Sequence, residues 1–137
     1  MPSGAPSAAD NSFHVGASAE GTAPQNVFRR AKAARGKPAR KIVERNDFVR
    51  DPYVVAAAIL RSGGKCEMPG CARGLFLKDD DTPYLEVHHV KPLSEDGDDT
   101  LANVAALCPH CHRSLHFGKG RKGNRATLAS HIAKLIV

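Results

Sequence analysis

Four cysteines in two close pairs set the tightest limit on how this 137-residue chain can fold. Cys66 and Cys71 flank a Pro69-Gly70 turn, and Cys108 and Cys111 form the second pair. A turn of this kind lets two thiolates converge on one ion. Four thiolates complete the tetrahedral shell of zinc and leave no open position for chemistry. One ion held this way would tie two distant stretches of chain together and couple metal binding to folding. The chain has reason to use such a staple. With five Phe, two Tyr and no Trp it has little aromatic surface to bury, and a small core commonly relies on a metal or disulfide. The N-terminus lacks an apolar signal-peptide core, so the expected setting is intracellular (cytoplasmic) and reducing. That setting and the short pairs favour zinc over disulfides or an iron–sulfur centre.

The stretch from Tyr84 to Phe117 holds one of these pairs and five of the seven histidines: His88, His89, His110, His112 and His116. His112 and His116 have the spacing that shares one helix face, while His110 points elsewhere on that helix. His88 and His89 are adjacent at the expected end of a strand, so their side chains point in different directions. One can bind an ion while the other stays off it. The cysteines and histidines therefore read as two metal positions with different jobs. The competing reading is a DNA-binding zinc domain with surface histidines.

Charge supplies the expected partner. Lys and Arg number 20 against 14 Asp and Glu, a net of +6. Much of the excess lies in residues 27–50, where Arg29, Arg30, Lys32, Arg35, Lys37, Arg40, Lys41, Arg45 and Arg50 face only Glu44 and Asp47. Such density suits contact with phosphate backbones. Gly36 and Pro38 argue against one continuous helix through it. A second basic segment carries Lys119, Arg121 and Lys122. No apolar run has the length of a membrane span, so no membrane partner is expected.

Along the chain, residues 1–26 are rich in Ala, Ser, Gly and Pro and read as a disordered tail containing His14, and residues 27–50 as a basic arm. The folded domain is expected over residues 51–137. Asp51 can cap a helix from Pro52 to about Arg61, closed by Gly63-Gly64. Leu75 to Leu77 reads as a short strand, and Asp79 to Asp81 as a solvated loop. Tyr84 to Val90 reads as a strand, followed by an acidic loop turning at Gly97. Val104 to Leu107 reads as a second strand, and Pro109 to Phe117 as a helix stopped by Gly118. Residues 118–123 read as flexible. A last helix is expected from Asn124 or Arg125 to about Ile136, with Leu128, Ile132 and Leu135 on its apolar face.

The run VHHVKPL, then Asn103, then ALCPHCHRSLH resembles the HNH endonuclease family, in its McrA-like branch. The resemblance is strongest over residues 84–117 and extends back to about Asp51. It implies an α+β fold with a small ββα-metal (His-Me finger) core at 84–117, flanking helices and a four-cysteine structural zinc site. It makes His89 the general base and Asn103 the residue that holds the loop and orients that base. It makes His88, His112 and His116 ligands of the catalytic ion, and Cys66, Cys71, Cys108 and Cys111 ligands of zinc. Two departures are the acidic SEDGDD loop, where many relatives carry a glycine pair, and His110, where Asn is frequent.

The implied activity is metal-dependent hydrolysis of DNA phosphodiesters, by nicking or by cleavage of double-stranded DNA. A nonenzymatic nucleic-acid-binding zinc module is the alternative. The catalytic ion would be Mg²⁺ or Mn²⁺, and an imidazole-rich site would also accept Ni²⁺, Co²⁺ or Zn²⁺. Arg113, beside His112, would contact a phosphate or pair with the acidic loop. Arg29, Arg30, Arg35, Arg40, Lys41, Lys119, Arg121 and Lys122 would add sequence-independent affinity. One site cuts one strand most simply, so the chain would act as a monomer or, for double-strand cleavage, a homodimer.

Overall fold

The computed structural model describes residues 21–135. His14, most of the expected tail and the expected end of the last helix at Ile136 lie outside the described residues. Within them are two units, residues 21–47 and residues 48–135.

The first unit holds helix α1 (Pro24–Ala33) and an irregular stretch after it. Pro24 sits in the first turn, where its missing N–H costs nothing. Arg30 and Lys32 lie in the last turn, where cations face the carbonyl ends. The helix crosses residue 26, so the end of the expected tail is ordered. Nothing in α1 is buried. Arg29, Arg30, Arg35, Arg40 and Lys41 are all exposed. Arg29 bonds Asn26, and Arg35 Nη1 donates to the carbonyls of Lys32 and Ala34 at 2.7 and 2.8 Å.

The second unit opens with α2 (Pro52–Ser62). The Asp51 carboxylate accepts the Tyr53 amide at 2.8 Å and caps it, a contact worth about 1 kcal/mol. Gly63 ends it in the left-handed conformation, at φ 62°. The expected strand at Leu75–Leu77 is a single bridge between Leu77 and Pro83. The acidic loop between them is exposed, with Asp80 accepting bonds from Thr82.

Strands β1 (Glu86–His89) and β2 (Val104–Leu107) pair antiparallel, with Glu86 opposite Leu107 and His89 opposite Val104. Helix α3 (Pro109–Phe117) follows, then α4 (Arg121–Ala133). Helix α4 begins before Asn124 and takes in Arg121 and Lys122, which the sequence assigns to a flexible segment. Gly118 does stop α3, and the turn after it is only three residues.

Alternation along the strands sorts the core onto two faces. Val87 and Val104 pack with Ala58 of α2. Val90, Ala105 and Leu107 pack with Leu115 of α3 and with Leu128 and Ile132 of α4. The second unit is thus a two-stranded sheet between α2 and the α3–α4 pair, an α+β arrangement with β1, β2 and α3 at its centre. No helix among the described residues is long and apolar enough to cross a membrane.

One polar knot lies inside this packing. Arg61 of α2 grips Glu67 with two bonds of 2.8 and 2.9 Å. It also donates to the carbonyls of Leu101 and Val104. Glu67 Oε1 accepts the Ala106 amide at 2.8 Å, and the Glu67 amide donates to the Ala106 carbonyl at 2.8 Å. The turn between Cys66 and Cys71 is therefore docked on β2 almost as an extra strand residue. Both side chains are at least 94% hidden (6% and 4% exposed), so losing one partner strands a buried charge. Glu67→Ala should cost about 3–5 kcal/mol in urea denaturation of the zinc-loaded protein, against less than about 0.5 kcal/mol for Glu95→Ala on the surface. A Glu67→Ala cost below about 1 kcal/mol would contradict this role.

Candidate active site and metal centres

The four cysteines come together. Their sulfurs all lie within 4.8 Å of one another, with Cys71 Sγ 3.9 Å from Cys108 Sγ. That separation is far beyond a disulfide, about 2.05 Å. It matches the edge of about 3.8 Å that four Zn–S bonds of about 2.3 Å set between ligands. Cys108 also caps α3, its sulfur accepting the Cys111 amide at 3.3 Å. Burial pushes the thiols of Cys66 and Cys111 up. Burial acts in the same sense on Cys71, but the Arg73 amide and the neighbouring sulfurs outweigh it and hold that thiol down. A bound dication would deprotonate all four. The donor set therefore fits a closed structural zinc site.

The second cluster is built on β1 and α3. His88, His112 and His116 each offer a ring nitrogen within 4.8 Å of the others. Their ring centroids form a near-equilateral triangle with sides of 5.0–5.2 Å. His112 Nε2 and His116 Nε2 are 3.2 Å apart, within the roughly 2.8–3.4 Å that two M–N bonds of about 2.0–2.1 Å set between neighbouring ligands. Burial, then the neighbouring His112, His116 and His89 and the Arg125 charge, pushes His88 down to about 3. Its imidazole is neutral at neutral pH, the form a ligand requires. Three facing imidazoles with room beyond them fit an open divalent-ion site. His110 does not join them: it is exposed, with Nε2 3.0 Å from Arg73 Nη2.

Glu86 completes this cluster and is missing from the sequence reading. Its Oε1 accepts from His112 Nδ1 at 2.6 Å, which leaves Nε2 for an ion. Its Oε2 accepts from the Tyr84 hydroxyl at 2.7 Å. Burial, and then this bond to Glu86, pushes the Tyr84 phenol up to about 12, so it stays a donor. A carboxylate behind a ligating imidazole fixes its tautomer and raises its basicity. The signal was present: Tyr84, Glu86 and His88 recur at the period of a strand and share its face.

His89 leaves β1 on the opposite face. Its Nε2 lies 2.8 Å from Asp99 Oδ1. The other Asp99 oxygen accepts the Asp51 amide at 2.7 Å. Burial works to raise the Asp99 pKa, but the Asp51 amide, His89 and Arg50 outweigh it and hold the carboxyl below its ordinary value. Asn103 joins the two ends of the loop. Its Oδ1 accepts the Lys91 amide at 2.9 Å, and its Nδ2 donates to the carbonyls of Lys91 and Asp98 at 3.0 and 2.7 Å.

A cleft of about 220 Å³ opens beside His88 and His116, walled by Glu95, Arg121, Lys122 and Arg125. Arg121 and Lys122 are among the expected phosphate contacts. Arg125 is not, because its place on the cleft depends on the helix starting earlier than the sequence indicates. Lys119 and Arg113 are exposed on the same unit. Arg29, Arg30, Arg35, Arg40 and Lys41 belong to the other unit.

Two strands and a helix that carry a histidine cluster beside a four-cysteine cluster define a ββα-metal protein. Residues 66–118 match the family model described as HNH endonuclease. Over 75 residues the chain is 52% identical to the type IV methyl-directed restriction enzyme EcoKMcrA of Escherichia coli, a match that covers 55% of this chain and 27% of that enzyme. The solved structure of the type IV phosphorothioation-dependent restriction endonuclease ScoMcrA matches at a TM-score of 0.61 and 35% identity, over 64% of this chain and 19% of that one. The chain thus matches less than a third of the length of either relative.

Two substitutions should separate the clusters. Cys108→Ala should abolish stoichiometric zinc and the folded circular-dichroism spectrum together. Glu86→Ala should keep both, while Mn²⁺ affinity in calorimetric titration falls about 10- to 100-fold. Unchanged Mn²⁺ affinity would remove Glu86 from the site.

Proposed function

We propose that the chain is a metal-dependent endonuclease that hydrolyses phosphodiester bonds in DNA. The observation that carries this reading is the triangle of His88, His112 and His116 next in sequence to a histidine, His89, that stands off it. A site with ligands alone would suit a structural ion. A site with a separate imidazole at its edge suits hydrolysis.

In this reading His88, His112 and His116 would hold a divalent ion, which would supply charge stabilisation for phosphoryl oxygens. Mg²⁺ or Mn²⁺ is the working ion, and Ni²⁺, Co²⁺ or Zn²⁺ is accepted by the imidazole set. His89 takes the proton of the attacking water, a task suited to an imidazole near neutral pH. Asn103 keeps the loop after β1 closed, so that the strand end does not fray and His89 keeps its place. Glu86 keeps His112 Nε2 turned inward. The zinc at Cys66, Cys71, Cys108 and Cys111 takes no part in the chemistry and holds α3 against the turn that carries Glu67.

DNA is held through its backbone. Arg121, Lys122 and Arg125 wall the cleft at His88 and His116, and Arg113 stands next to a ligand. Arg29, Arg30, Arg35, Arg40, Lys41 and Lys119 add counterion-release affinity without sequence preference. Similarity to two type IV restriction enzymes supports a role in restriction inside the cell, with double-stranded DNA as substrate. One active site nicks one strand, and two copies are required to cut both.

The test is cleavage of supercoiled plasmid with each ion. Wild type should nick the DNA and leave 5′-phosphate ends. His89→Ala should bind DNA and Mn²⁺ as before, with cleavage reduced by at least about 10²-fold. Tight DNA binding with no cleavage by wild type under any of the ions would favour a nonenzymatic zinc module. Equal cleavage by both proteins would remove His89 as the base.

A further inference from the structure

His89 is a buried ring whose only hydrogen bond among the described residues is the one from Nε2 to Asp99. Its side chain is 5% exposed, and that of Asp99 is 22% exposed. Asp99 is fixed from both sides. The Asp51 amide at the start of α2 holds Oδ2, and the loop that carries Asp99 has little freedom. Asp96 takes φ 67°. A Cβ at Gly97 would stand 1.9 Å from the Lys91 carbonyl oxygen, so only glycine allows the loop to close this tightly. Asn103 then bonds the Asp98 carbonyl, the residue next to Asp99.

We propose that Asp99 is the positioning residue of the site: it holds His89 in the tautomer that carries its proton on Nε2 and leaves the Nδ1 lone pair as the proton acceptor. An ionised carboxylate only accepts hydrogen bonds. Both Asp99 oxygens face donors, the Asp51 N–H and the His89 ring, so Nε2 must carry the hydrogen. A neutral imidazole has one such hydrogen, and Nδ1 is therefore left as the acceptor. The same contact ties the orientation of His89 to the N-terminus of α2, well away in sequence from β1 and α3. The catalytic use of this tautomer rests on the nuclease reading above; the tautomer itself does not.

Asp99→Asn tests this because it changes one atom's hydrogen-bonding sense and little else. Asn has one carbonyl oxygen. With that oxygen on the Asp51 amide, its NH₂ faces Nε2 and forces the ring proton onto Nδ1. Nitrogen-15 NMR of the full, zinc-loaded chain reads the tautomer directly. Wild type should show His89 with Nε2 protonated and Nδ1 bare, and Asp99→Asn should show the reverse. In plasmid cleavage with Mn²⁺, Asp99→Asn should lower kcat by about 10³-fold, with KM and Mn²⁺ affinity within about twofold of wild type.

A purely structural role for Asp99, in holding α2, predicts something else: a lower melting temperature with the wild-type tautomer and kcat per folded molecule. That result overturns the proposal. So does a wild-type spectrum with Nδ1 protonated, which needs no variant to fold. If wild type cleaves no DNA with any ion, the nuclease reading fails, and the two spectra still decide whether Asp99 sets the tautomer.

Discussion

The seating of the Cys66–Cys71 turn against β2 is the constraint on which the rest depends. Glu67, between the two cysteines, pairs with Ala106 through both its backbone and its side chain, and with Arg61 through both oxygens. This places Cys66 and Cys71 beside Cys108, the residue that follows β2 and caps α3. The core is small, with Leu107, Leu128 and Val104 the largest fully buried side chains among the described residues. Without the thiol cluster, little apolar area would fix the angle between β2 and α3. That angle brings His112 and His116 under His88.

In the proposed reading, two side-chain clusters on adjoining elements divide the work by their chemistry. Four thiolates would saturate an ion and stabilise the fold. Three imidazoles, backed by Glu86, would hold an ion with positions to spare. The strand period does the final sorting. His88 and His89 are neighbours in sequence, yet one faces α3 and the other turns towards Asp99. A shift of one residue in the β1–β2 register would exchange them, and Asn103 guards against that by bridging both ends of the intervening loop.

Residues whose placement follows from spacing were legible in the sequence. The cysteine pairs, His112 with His116, the Asp51 cap and the Gly63 and Gly118 stops need only local geometry. Glu86 was legible in principle, since it shares the strand face of His88. Arg61, Glu67 and Asp99 were not: each acts on a partner brought close by the tertiary fold, and no local pattern marks it. Asp99 reaches His89 from a loop in which Asp96 takes a left-handed conformation. Two boundaries moved for a simpler reason. Gly118, Gly120 and Gly123 read as a flexible run, yet Arg121 and Lys122 are good helix formers and Gly123 costs a helix only about 1 kcal/mol, so packing of Leu128 and Ile132 extends α4 back over them. The tail ends early because Pro24 opens a helix within it.

The division between a folding ion and a reactive ion is the central claim, and Co²⁺ added to the metal-free full chain tests it most directly. The first equivalent should give the intense thiolate-to-metal absorption of a four-sulfur site and restore the fold, without DNA cleavage. The second should add only the weak bands of a nitrogen and oxygen site, and cleavage should appear with it. Full cleavage after one equivalent, or thiolate absorption that keeps growing through the second, would contradict the account.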